Sequence, residues 1–323
     1  MGSPAIAIVS PGDMGHVVGG VLNQRGFRTL TALEGRSELS RIRAQRAMIS
    51  DVGQLKHLIS EANILLSIMP PQHAIDFAGK LSKQILKEGG DIIFADCNAI
   101  SPATTLKIKE LMDKAQIPFV KIGIIGPPPR AGVETRFYAS GPDANRLSEL
   151  GGKGILYKIV SEDIAAAAAM KMCYAGLTKC TMTLQTAVLI ASEILGVREE
   201  LSREFESSQK FHWNLMTSRV PFYAADADRW EGEMHEIAQT LGGVGLTKNL
   251  HEGAGDIFRL MASSPLGEET RETLDKSTLH QPALIPELAS RRNHRDQHAR
   301  VPALHHIGGL PLERLAVLSD FSW

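Results

Sequence analysis

The feature that most constrains this chain is the stretch from Ser161 to Gly196, SEDIAAAAAMKMCYAGLTKCTMTLQTAVLIASEILG. Its composition predicts one helix of about 33 residues, roughly 50 Å long at 1.5 Å per residue. Ser161 suits the N-cap, Glu162 and Asp163 lie where the helix dipole favours negative charge, and Gly196 supplies the stop. The stretch is apolar almost all the way round, so burial against several other elements is expected. It is too interrupted to cross a membrane, because Lys171, Lys179 and Glu193 leave only about 13 uncharged residues between them. Lys171 lies in the most apolar third. A lysine there either snorkels to the surface or is kept for chemistry.

The chain before this rod alternates strand and helix. Residues 5–9, 28–33, 62–68, 91–95 and 119–122 read as strands, the first and third buried on both faces. Helical stretches separate them; Ser101-Pro102 opens one with a capping residue and proline at its first position. After the rod the signals are helical only, at about 198–218, 226–242 and 251–262. The fold class is therefore α/β: an N-terminal Rossmann doubly wound parallel sheet followed by an all-α C-terminal domain entered by one long helix. A length of 323 residues fits that division. The expected boundaries are 1–160 for the dinucleotide-binding domain, 161–276 for a helical substrate and dimerisation domain, and 277–323 for an irregular tail. Five of the eleven histidines fall beyond residue 277. They include His294/His298 and the adjacent His305/His306, but no cysteine or acidic cluster joins them, and no metal site is expected.

A formal net charge of −1 gives no sign of a nucleic-acid or anionic-membrane surface. The apolar run at residues 5–9 is too short for a signal-peptide core and lacks a basic flank. Cys97, Cys173 and Cys180 sit in apolar sequence without metal-like spacing and read as reduced core thiols. A cytoplasmic protein is expected.

The first turn reads Ser10-Pro11-Gly12-Asp13-Met14-Gly15, with Gly19 four residues on. It is the dinucleotide fingerprint with serine in place of its first glycine. Gly12 lets backbone approach a pyrophosphate, Gly15 lets helix and strand pack closely, and the helix N-terminus offers free N–H groups to phosphate. It comes after a strand and opens a helix, which is the required context. At the end of the second strand Glu34 suits the ribose 2′-hydroxyl of NAD. Arg36 and Ser37 suit the 2′-phosphate of NADP, with Arg41 and Arg43 a turn or so beyond. NADP is preferred, and Glu34 keeps NAD open.

Taken together, these motifs resemble the β-hydroxyacid dehydrogenase superfamily, which includes the 6-phosphogluconate and 3-hydroxyisobutyrate dehydrogenases. The likeness covers residues 5 to about 265. It rests on Gly12-x-Met14-Gly15 with Gly26, on Met69-Pro70, on Asp96-Cys97-Asn98-Ala99-Ile100-Ser101-Pro102, on Gly123-Ile124-Ile125-Gly126-Pro127-Pro128 and on Lys171. Lys171-Met-Cys-Tyr174-Ala-Gly-x-Thr178-Lys179 and Arg229-Trp230-x-x-Glu233-Met234 resemble an uncharacterised branch. The resemblance implies that Met69 and Pro70 lie beside the adenosine half and that Asn98 reaches the nicotinamide ribose. It further implies that Gly123, Ile125 and Gly126 sit in the substrate-carboxylate loop and that Lys171 is the catalytic lysine. Tyr174 and Thr178, one and two turns along from Lys171, would face the substrate. Trp230 and Arg229 would close the pocket from a partner subunit in a homodimer built through the helical domain.

There are departures. The superfamily places asparagines three and four residues after the lysine, where this chain has Tyr174 and Ala175. Gly-Pro-Pro-Pro stands where Ser-Gly-Gly is usual. The leading expectation is an NADP-dependent oxidoreductase acting on a small, carboxylate-bearing hydroxy or oxo acid, with Lys171 as general acid/base. An imine reductase on the same scaffold and a non-catalytic nucleotide sensor are the alternatives.

Overall fold

A computed structural model describes residues 3–269, Thr273, Ile285, Pro286 and residues 288–290. The first strand, β1 (Ala5–Ile8), is buried throughout, as an unbroken apolar run requires of a strand covered on both faces. After it come α1 (Asp13–Gln24), β2 (Arg28–Thr31), α2 (Glu38–Arg46), β3 (Ser50–Asp51), α3 (Leu55–Glu61) and β4 (Ile64–Ser67). Next are α4 (Ala74–Glu88), β5 (Ile93–Asp96), α5 (Pro102–Lys114) and β6 (Phe119–Ile125). These six strands are parallel in the order 3-2-1-4-5-6. The order reverses between β1 and β4, which opens a crevice at their carboxyl ends. The two-residue period of β1 supplies both layers of core: Ile6 and Ile8 pack on one face of the sheet, Ala5 and Ala7 on the other.

Three strands have no counterpart among those expected from the sequence: the two-residue β3 and the two that follow β6. β7 (Thr135–Ser140) pairs antiparallel with β6, and β8 (Ile155–Ser161) runs parallel to β7, completing eight strands. Two expectations are corrected as a result. Gly123 and Ile125, expected in a loop, are the last part of β6, with Gly123 opposite Tyr138 and Ile125 opposite Arg136. Gly126, at φ +113°, ends the strand. Ser161, expected as the N-cap of the long helix, is drawn into β8 by its pairing with Ser140. The helix begins at Ala166 after Ala165, which has no capping side chain, and the turn leading in is held by Asp163, whose carboxylate accepts from Ala165 N at 3.0 Å.

The long helix, α6, spans Ala166–Ile194 and stops at Gly196, which takes φ +69° as a helix-ending glycine does. Its start is fixed by Ser140, whose hydroxyl accepts from Ala167 N at 3.0 Å and donates to Ile164 O at 2.9 Å. The expected all-round burial is not found. Met170, Tyr174, Leu177, Leu184 and Leu195 form an exposed stripe, Leu177 at 74% and Leu184 at 63%. Cys173 is exposed on this outer face too, whereas Cys97 is buried as expected.

The single helix expected at 198–218 is two, α7 (Arg198–Ser208) and α8 (Lys210–Arg219). They break at Gln209 (φ −130°, ψ 41°), which lets Phe205 and Trp213 stack at 6.3 Å. α9 (Ala224–Gly243) and α10 (Asn249–Ala262) pack on α6 around Met172, Leu189, Trp230, Met234 and Phe258. Ile285, Leu288 and Ala289, from the stretch expected to be an irregular tail, are buried in this same core. The tail histidines, including His294, His298, His305 and His306, lie outside the described residues.

Candidate active site

The glycine turn meets the requirements of its motif. No atom lies within 4 Å of where a Cβ on Gly12 would be, so a ligand can approach the backbone there. At Gly15 a Cβ would sit 2.1 Å from Ser10 O, so only glycine lets α1 start this close to β1. Gly12 precedes α1 without a capping side chain, which leaves the helix N-terminus available to an anion. Pro11 is buried and Ser10 half-buried beneath the turn, and Asp13 and Met14 open the helix. Arg36 is exposed and reaches Val9 O at 3.4 Å, beside the turn, while Ser37 caps α2 by accepting from Ser40 N at 3.3 Å. Glu34 accepts from Gln54 at 3.0 Å, and Arg41 donates to Leu33 O at 2.8 Å.

The ends of β4 and β5 are tied together by Asn98. Its Oδ1 accepts from Met69 N at 2.7 Å, and its amide donates to Ser67 Oγ at 3.0 Å and to Asp96. Beneath it lies a wholly buried ion pair absent from the sequence-based expectations. Lys121 Nζ donates to Asp96 Oδ2 at 2.7 Å and to Asn98 O at 2.6 Å. The signal for it is a lysine inside the buried run FVKIGII, with an aspartate ending the neighbouring strand. Breaking such a pair strands a charge in the interior. Asn98 therefore acts on the crevice by holding the Met69-Pro70 turn in place, its side chain being fully engaged.

Lys171 faces the end of the sheet. Its Cβ would lie 3.1 Å from a Cβ placed on Gly123, and Ala167 O would lie 2.7 Å from it, so glycine in β6 is what admits α6. Lys171 is half-buried, and among the described residues nothing accepts a hydrogen bond from its ammonium. Burial, followed by the charge of Lys179, lowers its pKa to about 8; Glu233 opposes the shift, while Arg229 and Lys121 add to it.

The other charges in this crevice are committed. Lys179 and Glu233 form a buried ion pair, with the Lys179 ammonium 5.6 Å from the Trp230 ring centroid. Burial pushes the Glu233 carboxyl up, but Lys179, Lys171 and Arg229 together hold it below the usual carboxylate range. Arg229 donates to Asp226 at 2.7 Å and reaches across to Asp13, at the start of α1, at 3.8 Å. Arg229 thus reaches the start of α1 in its own chain, and Trp230 packs beside the Lys179–Glu233 pair. Trp230 is buried, with edge contacts to Tyr223 (5.8 Å) and Phe258 (5.3 Å). Glu236 seats α9 on the start of α5 by accepting from Ser101 N at 2.7 Å and Thr104 Oγ1 at 2.8 Å.

Two expected substrate contacts are placed otherwise. Tyr174 is on the exposed stripe of α6, and the Thr178 hydroxyl donates to Tyr174 O at 3.2 Å within the helix. A separate groove of about 460 Å³ on the other face of α9, lined among others by Glu231, His235, His251 and Arg259, does not include Lys171.

The switch-point crevice, the glycine turn and the long helix behind it define a Rossmann sheet with a helical domain, the fold of the β-hydroxyacid dehydrogenase superfamily. Residues 193–261, within the helical part, match the family described as DUF1932, a domain of unknown function. An uncharacterized 28.5 kDa protein of Methanothermus fervidus is 29% identical over 191 residues, covering 59% of this chain and 72% of that protein. Among solved structures, the conserved protein MTH1747, described as structurally similar to 3-hydroxyacid dehydrogenases, superposes with a TM-score of 0.59 at 24% identity. The match covers 80% of this chain and 100% of that one. The Mycobacterium tuberculosis 3-hydroxyisobutyrate dehydrogenase with L-serine gives 0.61 at 15% identity over 86% and 98%. An imine reductase from Myxococcus stipitatus in complex with NADP+ gives 0.50 at 14% over 85% and 98%.

Proposed function

We propose that this chain is an NADP-dependent oxidoreductase that moves a hydride between the nicotinamide and a small hydroxy or oxo acid, with Lys171 as general acid/base. The observation that carries the reading is a half-buried lysine with no hydrogen-bond partner among the described residues, set at the crevice where the neighbouring described carboxylates are already paired. A purely structural lysine in such a place would be expected to hold a counter-ion.

The residues fit a dinucleotide. The open backbone at Gly12, the uncapped start of α1 at Asp13 and Met14, and the Ser10-Pro11 turn would take the pyrophosphate. Arg36 and Ser37 would take the 2′-phosphate, and Met69 and Pro70, held by Asn98, would border the crevice beside the adenosine half. When bound, the cofactor supplies the hydride. Lys171 supplies the proton: its ammonium protonates the developing alkoxide during reduction, and its neutral amine removes the hydroxyl proton during oxidation. With a pKa of about 8 the lysine is mostly protonated at neutral pH and still able to release its proton. Imine reduction on this scaffold calls for the same proton delivery, and the similarity to an imine reductase keeps amine-containing substrates within the test.

The test is an NADPH-oxidation screen across β-oxo acids, semialdehydes and ketone-plus-amine mixtures. Turnover of an oxo acid or semialdehyde alone supports the proposal; turnover only with amine present transfers it to imine reduction. No turnover with any substrate favours a nucleotide sensor. In an active enzyme, Lys171→Ala should abolish turnover while leaving NADPH affinity within a few-fold of the parent, and normal turnover in that variant would remove the acid/base assignment.

A further inference from the structure

Lys171 and Lys179 lie two turns apart on α6, and both act on one carboxylate, that of Glu233 on α9. A lysine in a low-dielectric crevice gains much from a nearby carboxylate. In the structure Lys179 holds it. That pair is buried and packed under the Trp230 ring, so Glu233 is kept against Lys179 by geometry as well as by charge. Arg229 is similarly claimed by Asp226 and Asp13, and Lys121 by Asp96. Among the charged groups facing Lys171 from α6, α9 and β6, none is left to hydrogen-bond it.

We propose that Lys179 and Glu233 are positioning residues for Lys171: Lys179 sequesters the crevice's carboxylate, so that Lys171 stays without a fixed counter-ion and free to exchange its proton with a ligand. The proposal rests on the reading of Lys171 as acid/base and adds to it a task for the DUF1932 segment, which supplies both Glu233 and Trp230. It also accounts for a second lysine in an otherwise apolar helix wall.

The idea makes two opposed demands. Removing Glu233 deletes the group that favours the charged form of Lys171, so its pKa should fall. Removing Lys179 deletes a repelling charge and releases Glu233, so its pKa should rise. A pair that served packing alone would behave differently. Either substitution would loosen the crevice, admit water and move Lys171 upward toward the ordinary lysine value, or leave it unmoved.

The experiment is competitive acetylation of the full chain with trace acetic anhydride from about pH 6 to 11, a range that spans the ordinary and lowered lysine values. Mass spectrometry of the Lys171 peptide reads its ionisation directly, without a substrate or turnover. Lys171 in the parent should titrate near pH 8. In Glu233→Gln the midpoint should fall by about one unit, giving a roughly tenfold gain in the reactive neutral fraction at neutral pH. In Lys179→Met it should rise by about as much. Should Lys179→Met fail to fold, Glu233→Gln alone decides, since it is nearly isosteric and a pair that served packing alone would give an upward shift or none. An upward or absent shift in Glu233→Gln, or an ordinary lysine midpoint in the parent, overturns the proposal. Inactivity in the substrate screen would count against the oxidoreductase reading without touching this measurement.

Discussion

Lys171 carries most of the proposed chemistry, and its environment has a cost that can be measured. Its folded pKa lies near 8, below the ordinary value of 10.5, so the folded state binds fewer protons than the unfolded one between those limits. Folding stability must then rise with pH across that window, and the penalty is fully present below it. Lys171→Met should therefore raise the melting temperature at neutral pH, and the gain should shrink as the pH approaches 10.5; differential scanning fluorimetry at both ends of the window reads it. The same ionisation sets the activity profile. Reduction should fall off as pH rises through about 8 while oxidation gains, so opposite limbs in the two directions are the expected signature. Arg36 gives the second prediction at this scale. Exposed beside the glycine turn, it has little structural work, and Arg36→Ala should weaken NADP binding by roughly tenfold or more while changing NAD binding little. Equal losses in a calorimetric titration of the two cofactors would remove its 2′-phosphate role.

At the scale of elements, the crossing of β6 and α6 decides the site. Gly123 is where the strand passes under the helix, and a methyl group there would come within 2.7 Å of Ala167 O, which is backbone and unable to swing aside. Gly123→Ala should push the start of α6 off the sheet and destabilise the fold by about 1–3 kcal/mol. Lys171 would move with the helix, so activity should be lost well before cofactor binding. Denaturant unfolding together with NADPH titration separates the two effects. By local rules this glycine belongs to a loop, because FVKI and the GIIG after it read as strand and turn. What extends β6 is its pairing with β7, a strand that leaves little local trace. Ser161 differs from its local reading for the same reason. Its serine–acid–acid run is a good helix start by sequence, and the sheet overrides it.

For the whole molecule, the exposed stripe of α6 bears on assembly. Met170, Tyr174, Leu177, Thr181, Leu184, Val188, Ala191 and Leu195 recur at alternating steps of four and three residues, the spacing with which a helix seams against another, with Val188 turned partly into the helical core. Leu177 and Leu184 are among the most exposed large apolar side chains of the described residues. We propose that this face meets its counterpart in a homodimer. Leu177→Glu with Leu184→Glu should leave a folded monomer by light scattering where the parent is a dimer; a monomeric parent would sink the idea. No described helix is long and apolar enough to cross a membrane.

Part of this fold depends only on neighbours along the chain. That includes the alternation of buried strands with helices, the glycine turn with the close approach of Gly15 to Ser10, the Ser101-Pro102 helix start, the Gly196 stop and the presence of a lysine in an apolar helix. These are set by backbone sterics and by the periodicity of apolar residues, and both are local. Only the tertiary structure decided how the charges were shared out. Glu233 lies 54 residues from Lys179, Lys121 25 from Asp96 and Asn98 29 from Met69. No local rule says which lysine a distant carboxylate will choose. That choice comes from burial, where an unpaired charge is expensive and each acid can satisfy few donors, and it leaves Lys171 without a hydrogen-bond partner among the described residues.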